Sequence, residues 1–254
     1  MAEPALSALH VRRDPVTSRD LLPAALAVAS ILASPHVQPP WVLAVLVIPA
    51  SLILYLIPAT KAFSPAAILV SALYAFGIVP LFVYAVTFAI LVCGFLIFRP
   101  GREASIACLY YFAAATAGAA LVLAYLDVFY PLAALFGVVI AVLLKVLFRG
   151  REDGLAVEAL GIAMGMYLIH DLHYHVDLPL IALAVAVAFS FGYFSYRFRT
   201  ADLSGLFSGA LVGLILILFT WETYRISWFL VMLAFFVLGS LCTRYKYAYK
   251  ERLG

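Results

Sequence analysis

Apolar residues dominate the chain in long blocks, and polar residues gather in the short gaps between them. Ten such blocks can be read: 21–34, 41–58, 64–79, 80–98, 104–126, 129–148, 155–170, 178–195, 203–220 and 227–243. Several approach the roughly 20 residues that an α-helix needs to cross a hydrocarbon core of about 30 Å. Between Ala66 and Phe98 the apolar run is unbroken. As one helix it would be about 50 Å long, too long for a single crossing. Gly77 and Pro80 offer a break within it, so the pattern predicts two helices joined by a tight turn.

Charge placement supports the same count. With the N-terminus on the cytoplasmic side, the inner segments hold fifteen of the sixteen Lys and Arg residues, from Arg12, Arg13 and Arg19 through Lys61, Arg99 and Arg102 to Lys145, Arg149 and Arg151, then Arg197, Arg199, Arg244, Lys246, Lys250 and Arg252. Only Arg225 falls outside. Basic residues concentrate on the cytoplasmic side of membrane proteins, and removing any one span would scramble this asymmetry. The expected fold class is all-α: a polytopic helical membrane protein with about ten transmembrane helices and both termini cytoplasmic.

Composition agrees, at 67% hydrophobic, 11% charged and mean hydropathy +1.11. An ordinary soluble domain is roughly half apolar and about a quarter charged. Cys93, Cys108 and Cys242 stand singly, in or beside apolar runs, with no disulfide framework or zinc ribbon. The first block, LLPAALAVASILA (21–33), has signal-peptide length, and Ala27-Val28-Ala29 reads as a cleavage pattern. The twenty residues before it mix Arg12, Arg13 and Arg19 with Asp14 and Asp20, unlike a compact basic leader. A retained first helix is the expectation.

Three stretches carry candidate chemistry. LIHDLHYHVDLP (168–179) holds three of the five histidines and two aspartates. His170 and His173 share a helix face, and Asp177 lies within reach beyond the turn, a donor set zinc accepts. Polar residues are also the ordinary content of a short outer turn, so packing and metal binding both stand. Lys145 and Glu158 each intrude about one turn into a span, on either side of the loop FRGRED (148–153). In an antiparallel hairpin their depths coincide, which predicts a pair, although Lys145 alone would reach the headgroups. Last, Arg197 and Arg199 precede one helical hairpin, and CTRYKYAYKERLG (242–254) follows it. This basic and aromatic collar reads either as interfacial anchoring or as a seat for an anionic headgroup or phosphate. Glycines at 205, 209 and 213, and at 161 and 165, give smooth faces for close helix approach or for lining a ligand. No nucleic-acid module, nucleotide loop, nucleophile elbow or metalloprotease motif occurs.

RTADLSGLFSGALVGLILILFTW followed by WFLVMLAFFVLGSLCTRYKYAYKERLG resembles the opening of the integral-membrane family labelled domain of unknown function 92. That family includes the transmembrane-protein-19 group and the plant phytyl-phosphate kinases. The positions that carry the resemblance are Asp202, Leu203, Ser204, Gly205, Gly213, Trp228, Phe235, Phe236, Gly239, Ser240, Thr243, Arg244 and Lys250. They cover about the last 55 residues. The eight spans before them are similar, in arrangement alone, to the membrane extension of some prokaryotic, especially archaeal, members. The resulting division is a cytoplasmic segment 1–20, an eight-helix extension 21–195, and a first family hairpin with the start of a loop, 196–254.

The resemblance implies a prenyl- or phytyl-phosphate kinase-like protein, which moves a phosphoryl group from a nucleotide, cytidine triphosphate, to an isoprenoid monophosphate. It implies Ser240, Thr243, Arg244 and Lys250 as substrate-binding residues, and no catalytic or metal-binding residue in this chain. The family's later D-T-x-x-S-E and G-T-x-G-G segments, expected to hold nucleotide and metal, do not occur here. The expectation is therefore an N-terminal portion, inactive alone, completed by a missing C-terminal half or a second polypeptide. Expected partners are the lipid bilayer and an isoprenoid phosphate, without nucleic acid. The cofactor is left open. The rival readings are a non-enzymatic membrane protein, either a transporter half or a scaffold subunit, and an outward metal sensor built on residues 170–177.

Overall fold

Local sequence sets where each helix begins and ends. The computed structural model describes residues 21–98, 104–148, 154–172, 178–197, 209–210, 212–217 and 227–244, all of them in helices or the turns between. The helices are α1 (Leu21–Ala33), α2 (Pro40–Tyr55), α3 (Phe63–Ala75), α4 (Leu81–Ile97), α5 (Ala104–Tyr125), α6 (Pro131–Leu147), α7 (Gly154–Asp171), α8 (Leu178–Arg197) and α9 (Ser227–Arg244). Residues 209–210 and 212–217 are helical as well. Among the described residues there is no strand, as expected of an all-α protein. Proline opens α2 and α6 at the first position, where its missing N–H costs no helical bond. Pro80 caps α4 in an extended conformation.

The break in the long apolar run falls where Gly77 and Pro80 predict it. α3 stops at Ala75, and Gly77 adopts φ +69°. The Gly77 N–H then donates to the Tyr74 carbonyl at 3.0 Å, and the Ile78 N–H to that of Leu73 at 2.9 Å. This is a Schellman end, which satisfies two carbonyls that the helix leaves open. α5 ends likewise, with Asp127 at φ +52° and the Val128 N–H donating to the Leu123 carbonyl at 3.1 Å.

Two compact units divide the chain, Met1–Tyr174 and His175–Gly254. In the first, every sequential helix pair packs together and α4 is central, touching α1, α3, α5, α6 and α7. Its buried run from Phe82 to Phe88 is continuous, as befits a helix enclosed on all sides. Glycines admit a close approach between α6 and α7. A Cβ at Gly161 would lie 2.3 Å from Leu144 Cδ1, and one at Gly165 would lie 2.4 Å from Ile140 Cδ1. In the second unit Gly213 meets Ala188 and Phe229. At Gly209 nothing lies within 4 Å of the Cβ position, and Gly205 is outside the described residues. Packing therefore accounts for Gly161, Gly165 and Gly213.

Several hydroxyls inside the first unit close on backbone carbonyls or on each other. Thr87 bonds back to the Val83 carbonyl at 2.6 Å and Ser51 to that of Val47 at 2.7 Å. Ser30 pairs with Tyr84 across α1 and α4. The outer surface is apolar instead, with Leu46, Ile53, Leu109, Leu121 and Leu147 all more than half exposed. Water disfavours so broad an apolar surface, and lipid does not. Among the described residues one segment, Ala107–Tyr125 in α5, is long and apolar enough to cross a membrane, with 19 residues and mean hydropathy 1.8. α1, α2, α3, α4 and α6 are apolar but only 13–17 residues long. Backbone turns such as that at Gly77 end them inside sequence that remains hydrophobic, so the helices are shorter than the apolar blocks.

Candidate functional site

The polar centre of the first unit is assembled from four helices. Lys145 lies in the last turn of α6, and Glu158 in the second turn of α7. Lys145 Nζ stands 3.1 Å from Glu158 Oε2, the pair that the flanking loop predicts. Tyr111, on α5, donates its hydroxyl to Glu158 Oε1 at 2.5 Å. Phe98, just beyond α4, places its ring centroid 5.6 Å from Lys145 Nζ and meets the Tyr111 ring edge-on at 5.5 Å. Gly94 makes room for that tyrosine, since a Cβ there would stand 2.9 Å from Tyr111 Cζ and its hydroxyl oxygen.

Both oxygens of the buried Glu158 carboxylate are thus taken by donors of the chain itself. Charge-assisted hydrogen bonds of this kind are about twice as strong as neutral ones and offset part of the cost of burying the charge. The arrangement clamps helices together and leaves the carboxylate no bare face for a ligand. Sequence spacing finds the Lys145–Glu158 pair because both residues lie close to one loop. It misses Tyr111, 47 residues from Glu158. The one local sign is Tyr110-Tyr111 within a helix otherwise rich in alanine, with Tyr110 exposed and Tyr111 buried.

His170 is held by aromatic packing at the far end of α7. Its ring lies edge-on to Phe82 at 4.9 Å and to Tyr130 at 4.7 Å, and those two rings stack at 4.5 Å. His173 and Asp177, the other proposed metal ligands, lie outside the described residues. Among the described residues no three of His, Cys, Asp and Glu come together where a metal could be held.

Of the substrate residues implied by the resemblance, Ser240, Thr243 and Arg244 lie in the last two turns of α9. Their i, i+3, i+4 spacing puts them on one helix face. Lys250 is outside the described residues, as are Asp202, Leu203 and Ser204. Arg197, from the collar's first half, closes α8.

Residues 186–254 match the family described as integral membrane protein DUF92, from within α8 to the end of the sequence. No curated protein and no solved structure matches the chain. The family match and the apolar outer surface identify an integral membrane protein, whose described residues form helices and the turns between them.

Proposed function

We propose that this is a multi-pass protein of the cell membrane which supplies the lipid-binding part of an isoprenoid-phosphate kinase-like activity. The match of residues 186–254 to an integral-membrane family carries this reading, together with the i, i+3, i+4 spacing of Ser240, Thr243 and Arg244 along α9. In the proposal ten spans place both ends in the cytoplasm, and an isoprenoid monophosphate lies with its tail in the bilayer and its phosphate beside Arg244 and Lys250. The C-terminal end of a helix carries the negative pole of its dipole and favours cations over anions. The phosphate is therefore held through the Arg244 and Lys250 side chains, with Ser240 and Thr243 donating hydrogen bonds.

A nucleotide and its metal need carboxylates and a phosphate-cradling loop. The described residues bring no such group together, and the sequence has no such loop. The proposal accordingly gives this chain the lipid phosphate and no transfer step. In this reading phosphoryl transfer is the work of another polypeptide segment, and the chain by itself is expected to bind the lipid phosphate without transferring it.

Binding of phytyl monophosphate to the protein in nanodiscs tests the assignment. Arg244→Ala and Lys250→Ala should each weaken it about tenfold or more, the loss typical of a hydrogen bond to a charged group. Unchanged affinity in both would remove these residues from the site. Flux of the labelled lipid phosphate, or of a water-soluble substrate, across proteoliposomes would favour a transporter half instead.

A further inference from the structure

An apolar groove of about 530 Å³ runs between α2, α3 and α7, lined by Leu52 and Tyr55 of α2, Pro65, Ile68 and Ala72 of α3, and Ala156 of α7. Its depth can be read from the helix registers. Tyr55 is the last residue of α2, while Pro65 and Ala156 lie in the first turns of α3 and α7. Three helix ends therefore meet at one level and form the mouth. Ile68 and Ala72 continue down α3, and the seven helical steps from Pro65 to Ala72 span about 10 Å. Leu52 and Tyr55 are about half exposed, so the groove opens outward along the apolar surface.

A lysine stands beside the mouth. Lys61, in the turn between α2 and α3, holds its ammonium 5.6 Å from the centroid of the Tyr55 ring. The start of α3, two residues later, adds the positive pole of a helix dipole. A cation above a hydrocarbon groove complements an amphiphile with an anionic head and an apolar tail. A zwitterionic lipid would bring its own cation against Lys61, and a soluble anion would leave the groove unfilled. Lys61 also belongs to the basic set on the expected cytoplasmic side, where anionic lipids draw cations at about 1 kcal/mol each.

We infer that this groove is a binding site for an anionic bilayer phospholipid, with one acyl chain along Ile68 and Ala72 and the phosphate at Lys61. The inference rests on residues apart from 240–250 and does not depend on the isoprenoid reading. The full chain, reconstituted in nanodiscs of equal phosphatidylglycerol and phosphatidylcholine, is released for native mass spectrometry. The wild type should retain phosphatidylglycerol about fivefold over phosphatidylcholine, the preference that one lysine beside an anionic headgroup supplies. Lys61→Gln should abolish that preference while leaving the helical circular dichroism unchanged. Ala72→Phe, which fills the groove, should lower retention of both lipids. Equal retention of the two lipids by the wild type would mean ordinary boundary lipid and overturn the site. A preference that survives Lys61→Gln would do the same. Displacement of the phospholipid by one equivalent of phytyl monophosphate would overturn the phospholipid assignment in favour of a prenyl phosphate.

Discussion

At Glu158 a carboxylate with 0% exposure depends on two donors, and their unequal settings make the pair's loss asymmetric. The Lys145 side chain is 15% exposed and lies in the last turn of α6, so without its partner it can extend toward the headgroups. Glu158 has no such escape. Lys145→Met therefore leaves a buried charge with only the Tyr111 hydroxyl, a situation that typically costs 3–5 kcal/mol. Glu158→Gln keeps an oxygen for Tyr111 and frees Lys145 to reach water. Its cost should be about 1 kcal/mol, in the range of hydrogen bonds between membrane helices. The double variant should be more stable than Lys145→Met alone, because no unpaired charge remains. Glu158→Lys should be worse than the Lys145/Glu158 charge swap, since it sets two ammonium groups side by side. Unfolding in one detergent, followed by circular dichroism, gives the comparison. Equal and additive losses from Lys145→Met and Glu158→Gln would show that the two groups act separately.

Single residues in the left-handed region decide where helices end within apolar sequence. Gly77 and Asp127 occupy equivalent positions in two Schellman ends, at φ +69° and +52°. An ordinary L-residue pays about 1–2 kcal/mol in that conformation, and glycine pays none. Gly77→Ala should destabilise by about that amount, because the added Cβ meets no atom within 4 Å that could compensate by packing. Asp127→Gly should stabilise by less than about 1 kcal/mol, because Asp tolerates the region and the new glycine adds entropy to the unfolded chain. Thermal midpoints of the two variants that moved in the same direction would contradict this account. These ends also mark how far sequence reading reaches. The break at Gly77 and Pro80 and the Lys145–Glu158 pair are legible because their determinants are local, a turn residue or two charges flanking one loop. The early stop of α3 at Ala75 is not legible, because hydropathy continues unchanged through Phe76, Ile78 and Val79. The roles of Tyr111 and Phe98 are hidden for another reason, since only the packing of α4, α5, α6 and α7 brings Tyr111 to Glu158 and Phe98 to Lys145. At the candidate phosphate site the helix face of Ser240, Thr243 and Arg244 follows from spacing, while Lys250 lies outside the described residues.

For the whole molecule the sharpest question is orientation, and charge and helix length answer it with different force. A helix of 13 residues, such as α1 or α3, rises only about 20 Å, well short of a hydrocarbon core of about 30 Å. Thinning of the bilayer and extension by the flanking apolar turns can make up such a gap at modest cost. Inverting the chain would carry basic residues across the membrane. On the translocon scale a Lys or Arg at the helix centre costs about 2.5–3.5 kcal/mol. In the proposed topology fifteen of sixteen basic residues stand on one side, so the charge pattern favours that orientation over its inverse. It follows that single cysteines at His36 and Asp127, in a background freed of Cys93, Cys108 and Cys242, should react with an impermeant maleimide on intact cells. Cysteines at Lys61 and Arg151 should react only after permeabilisation, and so should one at Arg13. Each adjacent pair of positions brackets an odd number of expected crossings, so the labels test the first six spans as well as their direction. Positions 36 and 61 on the same side would remove the crossing at 41–58. A cysteine at Arg13 that labels on intact cells while one at His36 does not would invert the protein, and with it the cytoplasmic placement of Lys61, Arg244 and Lys250.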